Sequence, residues 1–131
     1  MNTHSISVLI FLTLIIVSEL TIPVHASKWE CGERSNLPME GKNYCAAGDF
    51  RQSQINLKKL LAVLRKKHVA AFGDDDALIE AQTAFENYRD SQCVAENRRV
   101  EEKSFHPMIV AQCKTRLTNL RIDEIKRMNL Q

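Results

Sequence analysis

The sequence predicts an all-α protein, a small antiparallel bundle of about three helices stapled by two disulfides. Three observations lead there. Apolar residues recur at helical spacing in three separate stretches, no stretch alternates in the two-residue rhythm of a strand, and four cysteines follow a leader of export type.

The leader has no Lys or Arg, is apolar from Ile6 to Val17, and closes on Val24-His25-Ala26. An apolar run of this length ending near small residues reads as a signal peptide spanning 1–26, cleaved after Ala26. A membrane anchor needs about 20 unbroken apolar residues. Glu19, Pro23 and His25 interrupt this one, so no stable membrane insertion is expected after cleavage. The mature chain, 27–131, is of a length that suits one domain, and its expected location is periplasmic or secreted.

Of sixteen Asp and Glu, one is Glu19, so cleavage leaves the eighteen Lys and Arg in excess by three. The two signs read as interspersed along the segments, without the concentrated positive stripe of a nucleic-acid binder, and no nucleic-acid partner is expected.

In an exported chain, Cys31, Cys45, Cys93 and Cys113 read as two disulfides. Three pairings are formally possible. Cys31 with Cys45 and Cys93 with Cys113 are favoured, because each closes a short segment containing turn residues: Pro38 and Gly41 in the first, Pro107 in the second. Zinc is the rival use, but there is no Cys-x-x-Cys pair and only His68 and His106 follow the leader, so no metal or other cofactor is expected.

Along the mature chain, 27–44 is broken by Gly32, Pro38 and Gly41 and reads as an irregular arm tied by the first bridge. From about Cys45 to Phe72, the residues Phe50, Leu57, Leu61, Leu64 and Phe72 share a helix face, with His68 on its apolar side. Gly73 is placed to end this helix, and Asp74-Asp75-Asp76 to cap the next. The second helix is expected from about Asp75 to Arg99, with Leu78, Ala81, Phe85, Tyr88 and Gln92 inward. Gln82 and Arg89 lie on the same side, carrying a polar pair into or beside the core. Ser104 is a candidate cap for a third helix, which tolerates Pro107 in its first turn. Val110, Cys113, Leu117, Leu120 and Met128 mark its expected buried stripe.

No nucleophile elbow, phosphate loop, metalloprotease helix or dinucleotide fingerprint occurs, so no catalytic residue is assigned and the protein is not read as an enzyme. Glu80 and Glu86, or Glu101 and Glu102, could be paired for acid–base work, but they read better as solvated helix faces. Gln82, Arg89 and Asp90 form the notable polar motif. Because an unpaired guanidinium near a core is costly, Arg89 is expected to bind carbonyls or a carboxylate across the bundle and fix its register.

The stretch from Ala81 to Cys93, with Ala81-Gln82, the aromatic Phe85, Tyr88-Arg89-Asp90 and Cys93, resembles the core motif of the LprI-like lysozyme inhibitor family. The likeness continues through Ser104, Cys113, Thr118, Arg121 and Ile125, and reaches back to Cys31, Cys45 and Ile55-Asn56. Phe85 stands where the family usually has Trp, Lys59 where an aromatic often occurs, and Lys103 where Gly usually precedes the serine. The resemblance implies an exported helical protein that binds a protein partner, lysozyme or another envelope hydrolase. A loop carrying Lys103, Ser104 and His106, held by the second bridge, is the candidate tool for entering a carboxylate-lined cleft. The other reading is an interaction or immunity-type module for a different envelope protein. A mildly basic domain would be repelled at long range by a basic lysozyme, so tight binding would have to come from close fit.

Overall fold

A computed structural model describes residues 29–128, so the expected leader and its cleavage point lie outside the described residues. Three helices follow an irregular arm: α1 (Met39–Phe72), α2 (Asp76–Glu96) and α3 (His106–Met128), with a single 3-10 turn at Arg98–Val100 between the last two. There is no strand among the described residues. Both favoured bridges are present, Cys31–Cys45 and Cys93–Cys113. They use all four cysteines.

The arm is shorter than its composition suggested, because α1 begins at Met39 and takes Gly41 into its first turn. Gly41 is buried, and a Cβ there would meet the Trp29 indole at 3.0 Å. The missing side chain therefore lets the indole lie on the helix backbone. Arg34 grips Asp49 with two hydrogen bonds of 2.5 and 2.9 Å and donates a third, from Nε, to the Cys31 carbonyl at 3.0 Å. Bridge, indole and guanidinium fasten the arm along the first turns of α1.

Gly73 ends α1 as expected, in the left-handed conformation at φ 90°, where its N–H reaches the Val69 carbonyl at 2.9 Å. The acidic triplet caps differently from expectation. Asp75 occupies the cap position but makes no side-chain cap bond and instead pairs with Arg65 of α1, while Asp74 accepts the Asp76 N–H at 3.3 Å.

The core joins Leu57, Leu61 and Leu64 of α1 to Leu78 of α2 and Ile125 of α3, with Leu60, Phe85 and Ile122 packed against them. A second cluster surrounds the bridge: Cys93, Cys113 and Leu117, covered by Val110. These pairings make α2 antiparallel to both neighbours, with α1 and α3 side by side and parallel. Fully burying side chains of this size is worth about 1.5–3 kcal/mol each, before chain entropy is subtracted.

Several expected core positions are exposed. Phe72 is 72% exposed, because the last turns of α1 run past the ends of α2 and α3 and every residue from Arg65 to Asp74 except His68 is open to solvent. His68 is half-buried, with its ring edge-on to Phe72. On α2 the inward face is Leu78, Phe85, Arg89 and Cys93, a stripe rotated from the expected one, which leaves Ala81 and Tyr88 outside. On α3, Ala111, Thr118 and Ile125 are buried where Leu120 and Met128 were expected. On α2 the inward stripe is the one that carries Arg89 and Cys93, and on α3 the one that carries Cys113, which bulk apolarity alone did not reveal.

Ser104 is not the cap of α3. Asn43, on α1, does that work: its Oδ1 accepts the Met108 N–H at 3.1 Å, and its Nδ2 donates to the Ser104 carbonyl at 2.9 Å. One amide thus satisfies an orphan donor of the helix start and ties the preceding loop to α1. Asn43→Ala should lower the unfolding free energy by about 1–2 kcal/mol in urea melts. Thr118 lies at the opposite extreme, wholly buried, with an Oγ1 that has no hydrogen-bond partner among the described residues. Thr118→Val should therefore raise stability by about 1 kcal/mol in the same measurement.

Candidate functional site

The polar motif of α2 sits at the meeting of all three helices. Arg89 is 4% exposed, and its guanidinium carbon lies 5.0 Å from the Phe50 ring centroid and 5.8 Å from that of Phe85. Lys114 Nζ approaches the Phe50 ring at 5.7 Å, and the Arg121 guanidinium approaches the Phe85 ring at 5.7 Å. Cations and rings therefore alternate in the order Lys114, Phe50, Arg89, Phe85, Arg121, drawing one ring from α1, one from α2 and the flanking cations from α3. A cation over an aromatic face gains about 2 kcal/mol or more when water is excluded.

Arg89 was expected to find its carboxylate across the bundle. It finds it next door instead, donating from Nε to Asp90 Oδ1 at 2.9 Å, and Lys114 reaches the same oxygen at 3.3 Å from α3. What lies across the bundle is the Phe50 ring. Burial pushes the Asp90 carboxyl upward, but the Arg89 hydrogen bond and the charges of Arg89 and Lys114 outweigh it and hold the group below the usual carboxylate range. Asp49 is lowered too, chiefly by its hydrogen bonds from Arg34. Gln82 is half-buried, bonded to Glu86 at 3.0 Å and accepting from Arg121 Nε at 3.5 Å.

The candidate binding loop lies at the end of the bundle where Asn43 holds it. Successive backbone turns run from Asn97 to His106: Val100 to Asn97, Lys103 to Val100 and His106 to Lys103, at 3.1, 2.9 and 2.9 Å. Asn97 Nδ2 adds a bond to the Cys93 carbonyl at 2.8 Å. Lys103 and Ser104 are exposed, whereas His106 is half-buried as the first residue of α3. Beside the bridge, Glu96 accepts from Arg116 at 3.0 and 3.2 Å and from Gln92 at 3.1 Å.

The charges are not interspersed as they first read. Phe50 to Gly73 holds six Lys and Arg and no Asp or Glu; Asp74 to Glu96 holds seven Asp and Glu and one cation, the buried Arg89. The change of sign falls at the turn after Gly73, so windows that straddle it average to neutrality. The later part of α1 is thus basic, and the turn and helix that follow it are acidic.

Between those helices runs a groove of about 350 Å³ with Leu61, Ala62, Leu78 and Ile79 on its floor and Lys58 and Arg65 at its rim. No His or Cys lines it, and its hydroxyl, Thr83, donates to the Ile79 carbonyl at 3.0 Å. No group of His, Cys, Asp and Glu among the described residues could hold a metal ion. No helix among them is long and apolar enough to cross a membrane.

A family model described as Lysozyme inhibitor LprI matches residues 32–125. The chain belongs to the LprI lysozyme inhibitor family. It is also 30% identical over 119 residues to the uncharacterized protein R02472 of Rhizobium meliloti (strain 1021), a match spanning 82% of this chain and 86% of that one. No solved structure matches it. Membership of the family and the two disulfides point to a location outside the cytoplasm.

The LprI-like motif residues now have positions. Gln82, Phe85, Arg89, Asp90, Cys93, Cys113, Thr118, Arg121 and Ile125 all lie at or beside the packed centre, while Ile55, Asn56, Ala81, Tyr88 and Ser104 stand out in solvent. The motif is chiefly the framework on which a surface is carried.

Arg89→Ala should cost about 2–3 kcal/mol in chemical denaturation, and Arg89→Lys should recover only part of it, since a compact ammonium cannot meet both rings and Asp90 as a broad guanidinium does. Asp49 and Asp90 have lowered folded-state pKa values, so their stabilisation is complete above the ordinary aspartate value of about 3.9 and is lost as pH falls through the depressed values. The melting temperature should accordingly drop as pH is lowered below about 4, and Asp90→Asn should be less stable at neutral pH but lose less on acidification.

Proposed function

We propose that the protein is an exported inhibitor of a cell-wall hydrolase, lysozyme first among them, acting in the periplasm or after secretion by occupying its partner and not by chemistry. Family membership carries the partner class. The observation that supports a binding mode is the short turn bearing Lys103 and Ser104, presented to solvent while its backbone is fixed by the Asn43 amide and by a disulfide joining the helices on either side.

A loop already ordered before it binds sacrifices little conformational freedom on docking. Lysozyme works with a pair of carboxylates in its cleft, and an ammonium beside a hydroxyl is a suitable donor set for such a site. The segregated charges also answer the electrostatic objection. A basic enzyme meets attraction on the side of α2, where the turn and helix from Asp74 to Glu96 are strongly acidic, although the chain as a whole is slightly positive.

The test is an inhibition assay of the purified protein against lysozymes of several types. Inhibition at micromolar concentration is expected, and Lys103→Glu should weaken it about tenfold or more while leaving the melting temperature unchanged. Failure against every lysozyme would overturn the reading. Inhibition that ignores Lys103→Glu would keep the function and remove the loop.

A further inference from the structure

The outward side of α1 has no role in the core, the bridges or the binding loop. Arg51, Lys58, Lys59, Arg65, Lys66 and Lys67 are all exposed and are spread along about 24 Å of helix. Lys58, Lys59, Lys66 and Lys67 make no ion pair among the described residues, and no Asp or Glu interrupts the series. Set among these cations are Ile55, Val63 and Val69, each nearly half exposed, and Phe72 at 72% on the overhanging last turn. Ala62, Val69 and Ala70 floor a shallow depression of about 500 Å³ bordered by Arg65 and Lys66, and it adjoins the α1–α2 groove through Ala62 and Arg65.

We propose that this face of α1 docks the protein onto a membrane surface rich in anionic phospholipid headgroups. Charge complementarity supplies the attraction: unpaired ammonium groups on one rigid rod meet a plane of phosphates. The apolar residues decide between anionic partners. Duplex nucleic acid offers its backbone to the cations but gives exposed Ile, Val and Phe side chains nothing to enter, whereas the boundary between headgroups and acyl chains accepts both kinds of side chain. Lysine stems can lie along that boundary while their charged ends stay among the phosphates. Asp75, which also lines the depression, is already matched by Arg65. The proposal does not rest on the inhibitor reading, since the binding loop is attached near Asn43 and Lys67 lies about 36 Å further along the helix.

The purified protein, in the form the cell accumulates, is sedimented with vesicles of phosphatidylcholine alone and with vesicles containing phosphatidylglycerol. Binding is expected on the second only, declining as salt is raised. Lys59→Glu with Lys66→Glu should reduce it at least about thirtyfold, and Phe72→Ser about threefold or more. All three positions are exposed, and unchanged thermal melts would show that the variants remain folded. Equal sedimentation with both vesicle types, or binding indifferent to the paired lysine substitutions, would overturn the proposal. So would an oligonucleotide duplex that binds as tightly as the vesicles together with a Phe72→Ser variant that loses nothing, an outcome that would identify a general polyanion site.

Discussion

A guanidinium buried where three helices meet carries a large desolvation cost, and the way that cost is met governs how the helices can be arranged. Arg89 has one carboxylate beside it on its own helix, which fixes nothing between helices. The geometry between helices comes from the rings beside it, Phe50 on α1 and Phe85 on α2, and from Lys114 and Arg121, which extend the column on α3. Moving α2 along its axis by one residue would take Arg89 off the Phe50 ring and bring Cys93 out of line with Cys113. The aromatic column and the disulfide therefore demand the same register, one turn of helix apart.

Much of this was legible in the sequence because it depends on spacing within a helix. The three amphipathic stretches, the terminating Gly73, the two bridges and the inward side of Gln82 and Arg89 follow from local periodicity and from cysteine count. What escaped reading depends on partners far apart in the chain. Asn43 looks like an ordinary polar residue near a helix start, and its significance arises from Ser104 and Met108, some sixty positions away. Ala81 and Tyr88 looked buried because apolarity was weighed without knowing that a charged residue one position further on would take the centre of the face. Phe72 misled for a different reason: periodicity says which side of a helix is apolar, but not how far along the helix its neighbours extend.

The same distinction separates framework from surface. Most residues that carry the family likeness are spent on packing, so the likeness says more about shape than about the identity of the partner. Lys103, where the motif usually has glycine, and the lysines of α1 lie on the surface and can vary without disturbing the column or the bridges. The turn held by Asn43 and the open face of α1 are the surfaces this framework leaves free.

Net charge is a poor guide to a molecule built this way. An excess of a few cations spread evenly would repel a basic enzyme and hold only weakly to an anionic plane. Here the stretch from Phe50 to Gly73 carries six cations without an acid, and the stretch from Asp74 to Glu96 carries seven acids with its single cation buried. At physiological salt the screening length is about 8 Å, shorter than the helices, so each face acts on its own surroundings and the two nearly cancelling totals are not what a partner feels. Since α1 and α2 belong to one body cross-tied at Arg65–Asp75 and through the buried column, attraction felt by one face also orients the other. A domain lying with α1 against a phosphate surface would turn α2 toward the medium and leave its acidic side open to a basic partner.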